Sequence, residues 1–478
     1  MKSTNQEGRS ITLFAALIPL LCLVILLAFN VFIFGDDAIS GSNQFILLTG
    51  GAIASIVGLL YKVSFQSMID QVSDNLRSVT SAILILLLVG SLSASWLISG
   101  IVPAMIYYGI QLINPLFFLP SAVIISAIIS IATGSSWTTS ATIGIALIAI
   151  GKALGIPAGI VAGAVISGAY FGDKLSPLSD TTNLAAAMAG AGLFSHIRYM
   201  LYTTIPSITI TLIVFILISL SIETGELSST QNLLLSIQDS FYITPWLFIV
   251  PLLVILLIVK KVSPLIALFT GTILGLVLAY FFQPSFFTGT FFENYQYFLN
   301  SISSGVSIET SDQTLNDLFV SGGMEGMLGT IWLIICAMVF GGIMESIGAL
   351  SKISSALLAL GDSIFSLFAS TLASCLTINL TASDQYLSIV VPGKMFSKAF
   401  DEKNLAPENL SRTLEDSGTV TSVLIPWNTC GAYQSGVLGV GVGEYFIYAV
   451  FNYVSPLMTL IFAAFKIKIK ERLNTIST

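Results

Sequence analysis

The feature that most constrains this chain is a long run without a single charged residue, from Val79 to Gly151. A helix that crosses a bilayer needs about 20 mostly apolar residues, so this run is long enough for several crossings. Across all 478 residues, 9% are charged and 55% are hydrophobic, whereas a soluble domain carries about 25% charged residues. The sequence therefore predicts an all-α polytopic membrane protein with about 11 to 13 transmembrane helices in the lipid bilayer.

The composition also argues against several classes of function. A formal net charge of −7 disfavours a nucleic-acid partner, because nucleic-acid binding requires a basic face. The four cysteines form no CxxC spacing or Cys/His cluster, so neither a zinc site nor a disulfide framework is predicted, and no cofactor is expected. An intramembrane protease is disfavoured because the chain has no Gly-x-Gly-Asp signature and a single histidine as a candidate base. No repeated filter or pore ring of a channel is visible.

Uninterrupted apolar stretches predict individual membrane helices. These stretches are Ile11–Phe34, Gln44–Tyr61, Thr80–Ser99, Tyr199–Ser221, Pro245–Val259, Pro264–Phe282, Leu328–Ile347 and Tyr445–Phe465. Two longer stretches, Pro103–Ala191 and Lys352–Gly436, are apolar but interrupted by Gly, Pro, Ser, Thr, Asn and Asp. Irregular backbone survives at membrane depth only when it is buried in protein or lines a cavity, so we expect broken helices or re-entrant hairpins in both.

The charges of the connections predict the orientation. Three acidic connections lack Lys, Arg and His, and they contain Asp36–Asp37, Glu223–Asp239 and Glu293–Glu325. Basic residues cluster at the start of the chain, near Lys62 and Arg77, at Lys260–Lys261 and in the tail. The positive-inside rule therefore places both termini in the cytoplasm and the acidic connections outside. The side of the basic connection 393–412 stays open, because a re-entrant hairpin before it would change the parity of the spans.

The two interrupted blocks resemble each other in sequence. Thr133–Ser140 aligns with Thr381–Ser388, Pro157 with Pro407, and Ser167-Gly168 with Ser417-Gly418, at a spacing of about 248 to 250 residues. The helices that open the two blocks also start on opposite predicted sides, which is typical of inverted-topology repeats. The expected segments are N-terminal helices in 1–78, a first inverted repeat in 79–222, linking helices with acidic external loops in 223–327, a second inverted repeat in 328–465 and a basic tail in 466–478.

The densest polar group at predicted membrane depth is the segment Gly172-Asp-Lys-Leu-Ser-Pro-Leu-Ser-Asp-Thr-Thr-Asn183. Apolar runs abut it on both sides, which argues against the alternative of a surface loop. Pro177 and its polar neighbours break the helix and free backbone carbonyls. Hard cations such as Na⁺ bind oxygen ligands. The side chains that we expect to bind an ion or substrate here are Asp173, Asp180, Thr181 and Asn183.

Two further segments carry candidate ligands. The hydroxyl-rich run Thr133–Thr142 aligns with a run around Asp384, which is the one charged residue between Ser366 and Pro392; hydroxyls alone also serve as contacts between membrane helices. The segment from Glu415 to Thr429 matches the first block's polar segment, and its Asp416 is a candidate ligand, proton carrier or helix N-cap. The candidates are Thr133, Ser135, Ser136, Thr139, Asn379, Asp384, Asp416, Thr419 and Asn428. Asp180 and Asp384 are the predicted Na⁺ ligands, since charge at membrane depth requires a partner or an ion.

Two isolated ionisable residues have less specific interpretations. His196, next to Arg198, is expected at the membrane interface rather than as a pH sensor. Glu345, near the end of a predicted helix, fits a snorkelling or paired residue as well as a coupling group.

The segment Gly172–Asn183 resembles the hallmark of the NhaC family of Na⁺/H⁺ antiporters, within the larger ion-transporter superfamily. Thr133–Thr142, Asp384–Tyr386 and Pro426–Asn428 are similar to other characteristic segments of that family, and the resemblance extends roughly from Thr80 to Phe465. It implies exchange of Na⁺ for H⁺ across the bacterial plasma membrane, with substrate bound at paired hairpin tips. Some members of the family exchange malate and lactate, coupled to Na⁺.

A Na⁺-coupled exchanger of organic anions or amino acids is the nearest alternative. Recognition of a carboxylate usually requires an arginine or helix N-termini. Arg412 is the only arginine in either interrupted stretch and can lie in a loop, so the sequence favours a bare cation. The expected partners are Na⁺ as the transported ion and H⁺, with a small organic anion and a homodimer left open. A carboxylate that binds either Na⁺ or a proton makes the two compete for one site.

Overall fold

The computed structural model describes residues 11–34, 41–112, 115–222, 227–310 and 313–472. The described chain is almost entirely helical, because a helix satisfies its own backbone polar groups and can therefore lie in a bilayer. The two named strands, β1 (Val306–Ser307) and β2 (Val320–Ser321), form an antiparallel ladder in the predicted external connection. The charged termini and Asp36–Asp37, on which part of the predicted orientation rests, lie outside the described residues.

Sixteen α-helices precede residue 320, and short turns of 3₁₀ or π helix connect some of them. The helices are α1 Leu13–Phe34, α2 Ser42–Leu60, α3 Phe65–Ser78, α4 Thr80–Ile98, α5 Ile101–Leu112, α6 Phe118–Thr133, α7 Ser136–Thr139, α8 Ile145–Ala153, α9 Ala158–Leu175, α10 Asp180–Ala189, α11 Leu193–Ser221, α12 Leu227–Ser240, α13 Ile249–Val259, α14 Pro264–Phe282, α15 Phe291–Ser304 and α16 Gln313–Leu318.

Eight more helices complete the described chain. They are α17 Leu328–Ser346, α18 Ala349–Leu358, α19 Ile364–Thr381, α20 Gln385–Glu402, α21 Pro407–Leu414, α22 Thr429–Leu438, α23 Val442–Tyr445 and α24 Val450–Ala464. Two π-helical turns, Ser140–Gly144 and Glu415–Thr419, lie within the interrupted blocks.

Each interrupted block contains a helical hairpin, as expected. In hairpin 1, α6 turns at Gly134, whose φ of 71° is left-handed, and the chain returns through α7 and α8. In hairpin 2, α19 returns as α20 after Ser383, at φ 58°. The outer ends of hairpin 2 are adjacent, since the Lys403 ammonium donates to the Asp362 carbonyl at 2.6 Å. Hairpin 2 therefore brings its two ends together and presents a single tip.

A broken helix packs against the tip of each hairpin. Between α9 and α10 the chain is irregular, and Leu178 lies so close to Gly134 that a Cβ there would be 2.6 Å from the Leu178 Cβ. At the start of α22 the backbone N–H of Thr429 donates to the Ser383 carbonyl at 2.9 Å. The breaks follow from their composition, because Pro177 and Pro426 cannot continue a hydrogen-bonded helix.

Helix boundaries recur in the two halves at a nearly constant spacing. Four N-cap residues of the first half, Ser135, Pro157, Ser179 and Gly192, are each 249 residues before an N-cap of the second half. The partners are Asp384, Ala406, Asn428 and Gly441. The N-cap positions thus align Pro157 with Ala406, one residue before the Pro407 that sequence similarity pairs with it. The halves repeat the same order of elements; their inverted relation stays a prediction.

Seven described helices are long and apolar enough to cross a membrane, or up to nine if each bent pair is one span. The total of about 11 to 13 crossings stays a prediction. The count by length is smaller because hairpin and broken helices, such as α6 and α10, have fewer than 18 residues. The predicted span Tyr445–Phe465 is bent by 50° between α23 and α24.

The basic tail folds back onto the second half. Residues Leu405 and Glu471 form an antiparallel bridge, in which Ala406 N–H donates to the Lys470 carbonyl at 2.8 Å and Arg472 N–H to the Asn404 carbonyl at 3.0 Å. The connection between α20 and α21 therefore lies on the same side as the tail. The sequence left this point open.

Candidate functional site

The tips of both hairpins and one broken helix surround a cavity of about 680 Å³, here called the tip cavity. Three carboxylates line it: Asp173 at the end of α9, Asp180 at the start of α10, and Asp384 at the start of α20. The predicted residues Thr133, Ser135 and Thr181 line it as well. The two halves thus contribute to one polar chamber in an otherwise apolar protein.

Asp173 fastens the tip of hairpin 1 to the broken helix. One of its carboxylate oxygens accepts from the Ser136 backbone N–H at 3.0 Å and from the Ser136 hydroxyl at 2.7 Å. The hydroxyl of Thr139 donates to the Ser135 carbonyl at 2.9 Å, which closes the same turn. The Asp173 side chain is only 6% exposed, so it forms part of the wall of the cavity and is largely shielded from solvent.

Asp384 caps a helix and faces the tip cavity at the same time. Its Oδ1 accepts from the Leu387 backbone N–H at 2.9 Å, which is the N-cap contact of α20. Asp180 has a different setting, because its side chain is exposed within the lining of the cavity. The two predicted Na⁺ ligands therefore lie on opposite halves of the chain and border one chamber.

Asn379 and Asn428 hold hairpin 2 against the second broken segment. The Asn379 amide donates to the Gly418 carbonyl at 2.8 Å, and the Asn428 amide donates to the Asn379 carbonyl at 3.1 Å. Asn428 also caps α22, because its side chain accepts from the Cys430 backbone N–H at 3.0 Å. Asn183 similarly binds the carbonyls of its own break, including that of Ser179 at 2.7 Å. In the described structure these three amides fix backbone beside the cavity rather than lining it.

Asp416 lies in a separate buried network. It forms an ion pair with Lys174, and both side chains are fully buried. Hydroxyl groups complete the network: Ser455 accepts from the Lys174 ammonium at 2.9 Å and donates to Asp416 at 3.0 Å, and Thr203 donates to Asp416 at 2.9 Å. Asp416 belongs to a π-helical turn and is not an N-cap. Thr419 is buried in the same turn.

Glu415 connects this network to the tip cavity. One oxygen of its fully buried carboxylate accepts from the Thr181 hydroxyl at 3.1 Å. That hydroxyl is also 3.1 Å from the Ser179 hydroxyl, and both Thr181 and Ser179 line the cavity. Because Glu415 directly precedes Asp416 in the chain, the cavity and the Lys174–Asp416 pair are neighbours.

The structure gives two residues a more buried setting than the sequence suggested. The side chain of His196, expected at the membrane interface, is fully buried, although Phe194 in the same turn of α11 is exposed; the depth of His196 in the membrane stays a prediction. Arg412, for which the sequence allowed a loop, lies in α21 and is fully buried, with its guanidinium 4.5 Å from the Tyr199 ring centroid. Helix α11 begins at Leu193, six residues or nearly two turns before the predicted apolar stretch.

Comparisons with known proteins identify the family. The family model described as the Na⁺/H⁺ antiporter family matches residues 168–467. The chain is 38% identical over 410 residues to the Na⁺/H⁺ antiporter NhaC of Alkalihalophilus pseudofirmus, which covers 86% of this chain and 87% of the relative. The chain belongs to the Na⁺/H⁺ antiporter family. It is therefore a multi-pass membrane transporter.

Other relatives of this chain have different names. The malate-2H⁺/Na⁺-lactate antiporter of Bacillus subtilis is 36% identical and covers 96% of this chain and 95% of its own. The arginine/ornithine antiporter ArcD of Halobacterium salinarum is 35% identical and covers 95% of this chain and 93% of its own. Among solved structures, Neisseria gonorrhoeae MtrF, of a class of antimetabolite efflux pumps, matches with a TM-score of 0.39 and 13% identity over 95% of this chain and 96% of its own.

Sequence reasoning about this antiporter missed the residues that surround Asp416. Glu415 was part of a recognised motif but was not singled out, and Thr203 and Ser455 lie on α11 and α24, far from any motif. The one sequence feature that indicates Thr203 and Ser455 is the recurrence of small polar residues on one face of an apolar helix. The same feature is typical of helix packing in membranes. Glu345, in contrast, is half-buried on α17 and is not among the described residues that line the tip cavity.

Proposed function

We propose that this Na⁺/H⁺ antiporter exchanges its ions through the tip cavity by alternating access. The observation that supports the proposal most is the meeting of Asp173, Asp180 and Asp384 around one chamber. These carboxylates come from both halves of the chain, so relative movement of the halves changes which side of the membrane the site faces.

The proposed cation site combines charge with polar oxygen atoms. Asp180 and Asp384 supply carboxylates, and the hydroxyls of Thr133, Ser135 and Thr181 lie in the same lining. Na⁺ is a hard cation that binds such oxygens. Three ionised carboxylates without a cation are unfavourable in a chamber surrounded by apolar protein, so either Na⁺ or protons neutralise them. Exchange follows from this competition and requires no further base.

The charges of the cavity favour a cation over an organic anion. Lys261 is the one cationic side chain among the described residues that line it, against three carboxylates. Arg412 is the only arginine of the two interrupted stretches and hence the candidate ligand for a carboxylate substrate. It stacks on Tyr199 and is not among the described residues that line the cavity. Exchange of an organic anion is the second candidate function, because one relative is named a malate-2H⁺/Na⁺-lactate antiporter. A carboxylate substrate would require Lys261 or helix N-termini to bind it.

We further propose that the described conformation is open toward the cytoplasm of a bacterial cell. The tip cavity extends to Ser78–Val79 and Lys261–Pro264, next to basic residues that the positive-inside rule assigns to that side. On the other side, the Trp137 ring stacks on Tyr433 with centroids 4.2 Å apart. In the same helix as Tyr433, Gly436 lines a second cavity of about 240 Å³ that also includes Ser321 of the predicted external connection. The stack is the proposed external gate.

The proposal is tested with purified protein in liposomes that contain a pH-sensitive dye. Addition of Na⁺ or Li⁺ to one side should move protons without any organic substrate, whereas K⁺ should be inactive. Malate, lactate and arginine are added in separate trials. Proton movement that requires one of these acids would contradict bare Na⁺/H⁺ exchange and support the second candidate.

A further inference from the structure

A concave basic surface lies apart from the tip cavity, at the start of α11. Here called the basic pocket, it has a volume of about 470 Å³ and is lined by Arg198, Tyr202, Lys468 and Lys470 among others. The two sides of the pocket come from segments more than 250 residues apart in sequence, α11 and the tail. Three cationic side chains thus converge on one recess. We propose that the basic pocket binds the phosphate group of an anionic phospholipid.

The fold holds this pocket in a fixed shape. The Tyr199 hydroxyl lies 2.5 Å from both the Lys468 carbonyl oxygen and the Asn409 side-chain oxygen, and it shares its one proton between these two acceptors. The Ala406 backbone N–H donates to the Lys470 carbonyl. The tail therefore does not approach the pocket as a free chain, and its lysines are preorganised for a ligand, which lowers the entropic cost of binding.

The charge of the pocket remains positive after its internal contacts are counted. The Lys470 ammonium donates to Glu408 at 2.5 Å, so that pair is nearly neutral. The Lys468 ammonium is 5.1 Å from the Tyr202 ring centroid, which leaves its charge available. Arg198 is exposed, and its planar guanidinium suits bidentate contacts with phosphate oxygens. Arg198 and Lys468 are therefore the two groups that we expect to hold the phosphate.

An apolar surface continues from the pocket and indicates a lipid rather than a soluble phosphate. On α11, Tyr202 and Ile205 are exposed, and on the neighbouring α24, Ile461 and Phe465 are exposed. Helices α11 and α24 pack together, so these side chains lie near the charged recess at the end of a membrane-spanning helix. A phospholipid places a phosphate next to two acyl chains in that same arrangement. Basic recesses between membrane helices on the cytoplasmic side bind such headgroups.

The test measures binding of phosphatidylglycerol to the full-length protein in detergent by native mass spectrometry. The double variant Arg198→Gln/Lys468→Gln removes both free cations. Since each cation near a membrane surface contributes about a fivefold gain, we expect roughly 30-fold weaker binding. The matched control is Arg77→Gln/Lys398→Gln, in which both replaced side chains are more than 80% exposed and lie elsewhere. The control should bind phosphatidylglycerol like the wild type.

Two further arms identify the ligand. Phosphatidylcholine, which has the same acyl chains and no net charge, should bind weakly and equally to all three proteins. Inorganic phosphate should neither bind at millimolar concentration nor displace phosphatidylglycerol. Equal binding of phosphatidylglycerol to the double variant and the control would overturn the proposal. Binding of inorganic phosphate that is lost in the double variant, without any preference for the lipid, would overturn the assignment to a phospholipid.

Discussion

The carboxylates of the tip cavity have separable roles in folding and ion binding. Asp384 caps α20 with one oxygen and borders the cavity. Asparagine keeps the capping oxygen but removes the charge. We therefore predict that Asp180→Asn and Asp384→Asn each fold normally and reduce Na⁺-dependent proton flux at least about tenfold, because an ion loses a charged ligand. The measurement is the dye-reported flux at equal reconstituted protein.

Asp362→Asn is the matched control for both variants. Asp362 is exposed, lies at the outer end of hairpin 2 and is absent from the described lining of the cavity. It should exchange Na⁺ like the wild type. Full flux in both cavity variants would show that Asp180 and Asp384 do not bind the ion.

The Lys174–Asp416 pair is expected to stabilise the protein only as a pair. Both groups are buried, and removal of one partner leaves an uncompensated charge that costs about 3–5 kcal/mol. Lys174→Met should therefore lower the midpoint of thermal unfolding in detergent. Lys174→Met/Asp416→Asn should recover much of that loss, because both charges are gone. A double variant as unstable as the single one would mean that packing, not charge, explains the effect.

At the scale of residues, the sequence was informative where an ionisable group interrupts an apolar run. Asp173, Asp180 and Asp384 were identified in this way, and the structure brings all three to one cavity. The sequence pattern does not show which of these polar segments lie next to each other in the folded protein. Asp416 looks like the other aspartates in sequence, yet Lys174 partners it, because α9 and the π turn 415–419 meet only in three dimensions.

At the scale of elements, close packing between α6 and α9 fixes hairpin 1. A Cβ at Gly168 would be 2.2 Å from the Val123 carbonyl oxygen, which is backbone and cannot yield. Gly168→Ala must therefore separate the two helices, at a cost of about 1–3 kcal/mol. We predict a lower unfolding midpoint and reduced flux, because hairpin 1 carries one side of the tip cavity.

Gly329 provides the matched control, since it is also helical and a Cβ there meets no atom within 4 Å. Gly329→Ala should change the unfolding midpoint little or raise it slightly, because alanine favours helix. Equal effects of the two substitutions would contradict the claim that close contact between α6 and α9 requires glycine at position 168.

Most long elements were predictable because hydrophobicity alone specifies them. Helices α4, α14 and α17 begin at the predicted residues Thr80, Pro264 and Leu328. The amphipathic helix α3 was not predicted, because Asp70, Asp74 and Arg77 make the segment look like a polar connection. Its apolar face packs on α17. The sequence predicted that hairpins and helix breaks occur in the two interrupted blocks, but not the residues at which the chain turns. The turns lie at Gly134 and Ser383, whose backbone is left-handed.

At the scale of the whole molecule, the two hairpins point from opposite predicted sides. The end of hairpin 2 lies beside the connection that the basic tail contacts, whereas Lys152, near the end of hairpin 1, shares a cavity with Ser321 of the acidic connection. We predict that a single cysteine at Ser304 reacts with an impermeant maleimide added to intact cells. A cysteine at Glu402 should react only after the membrane is opened.

Both positions are exposed, so a difference in labelling reports the side of the membrane rather than burial. The background lacks the four native cysteines. Labelling of both positions from outside would place the acidic connection, and the neighbouring end of hairpin 1, on the same side as the end of hairpin 2. That result would contradict the inverted relation of the halves. The repeated spacing of the N-caps would then describe a parallel repeat.

The most direct test of the account is the concentration of Na⁺ that half-saturates exchange, measured between about pH 6 and about pH 9. If Na⁺ and protons compete for the carboxylates of the tip cavity, this concentration should rise about tenfold for each pH unit of acidification below the titration of the site, for one competing proton. At high pH it should become constant. A half-saturating concentration that does not change over the whole range would contradict a shared site and require a separate proton carrier.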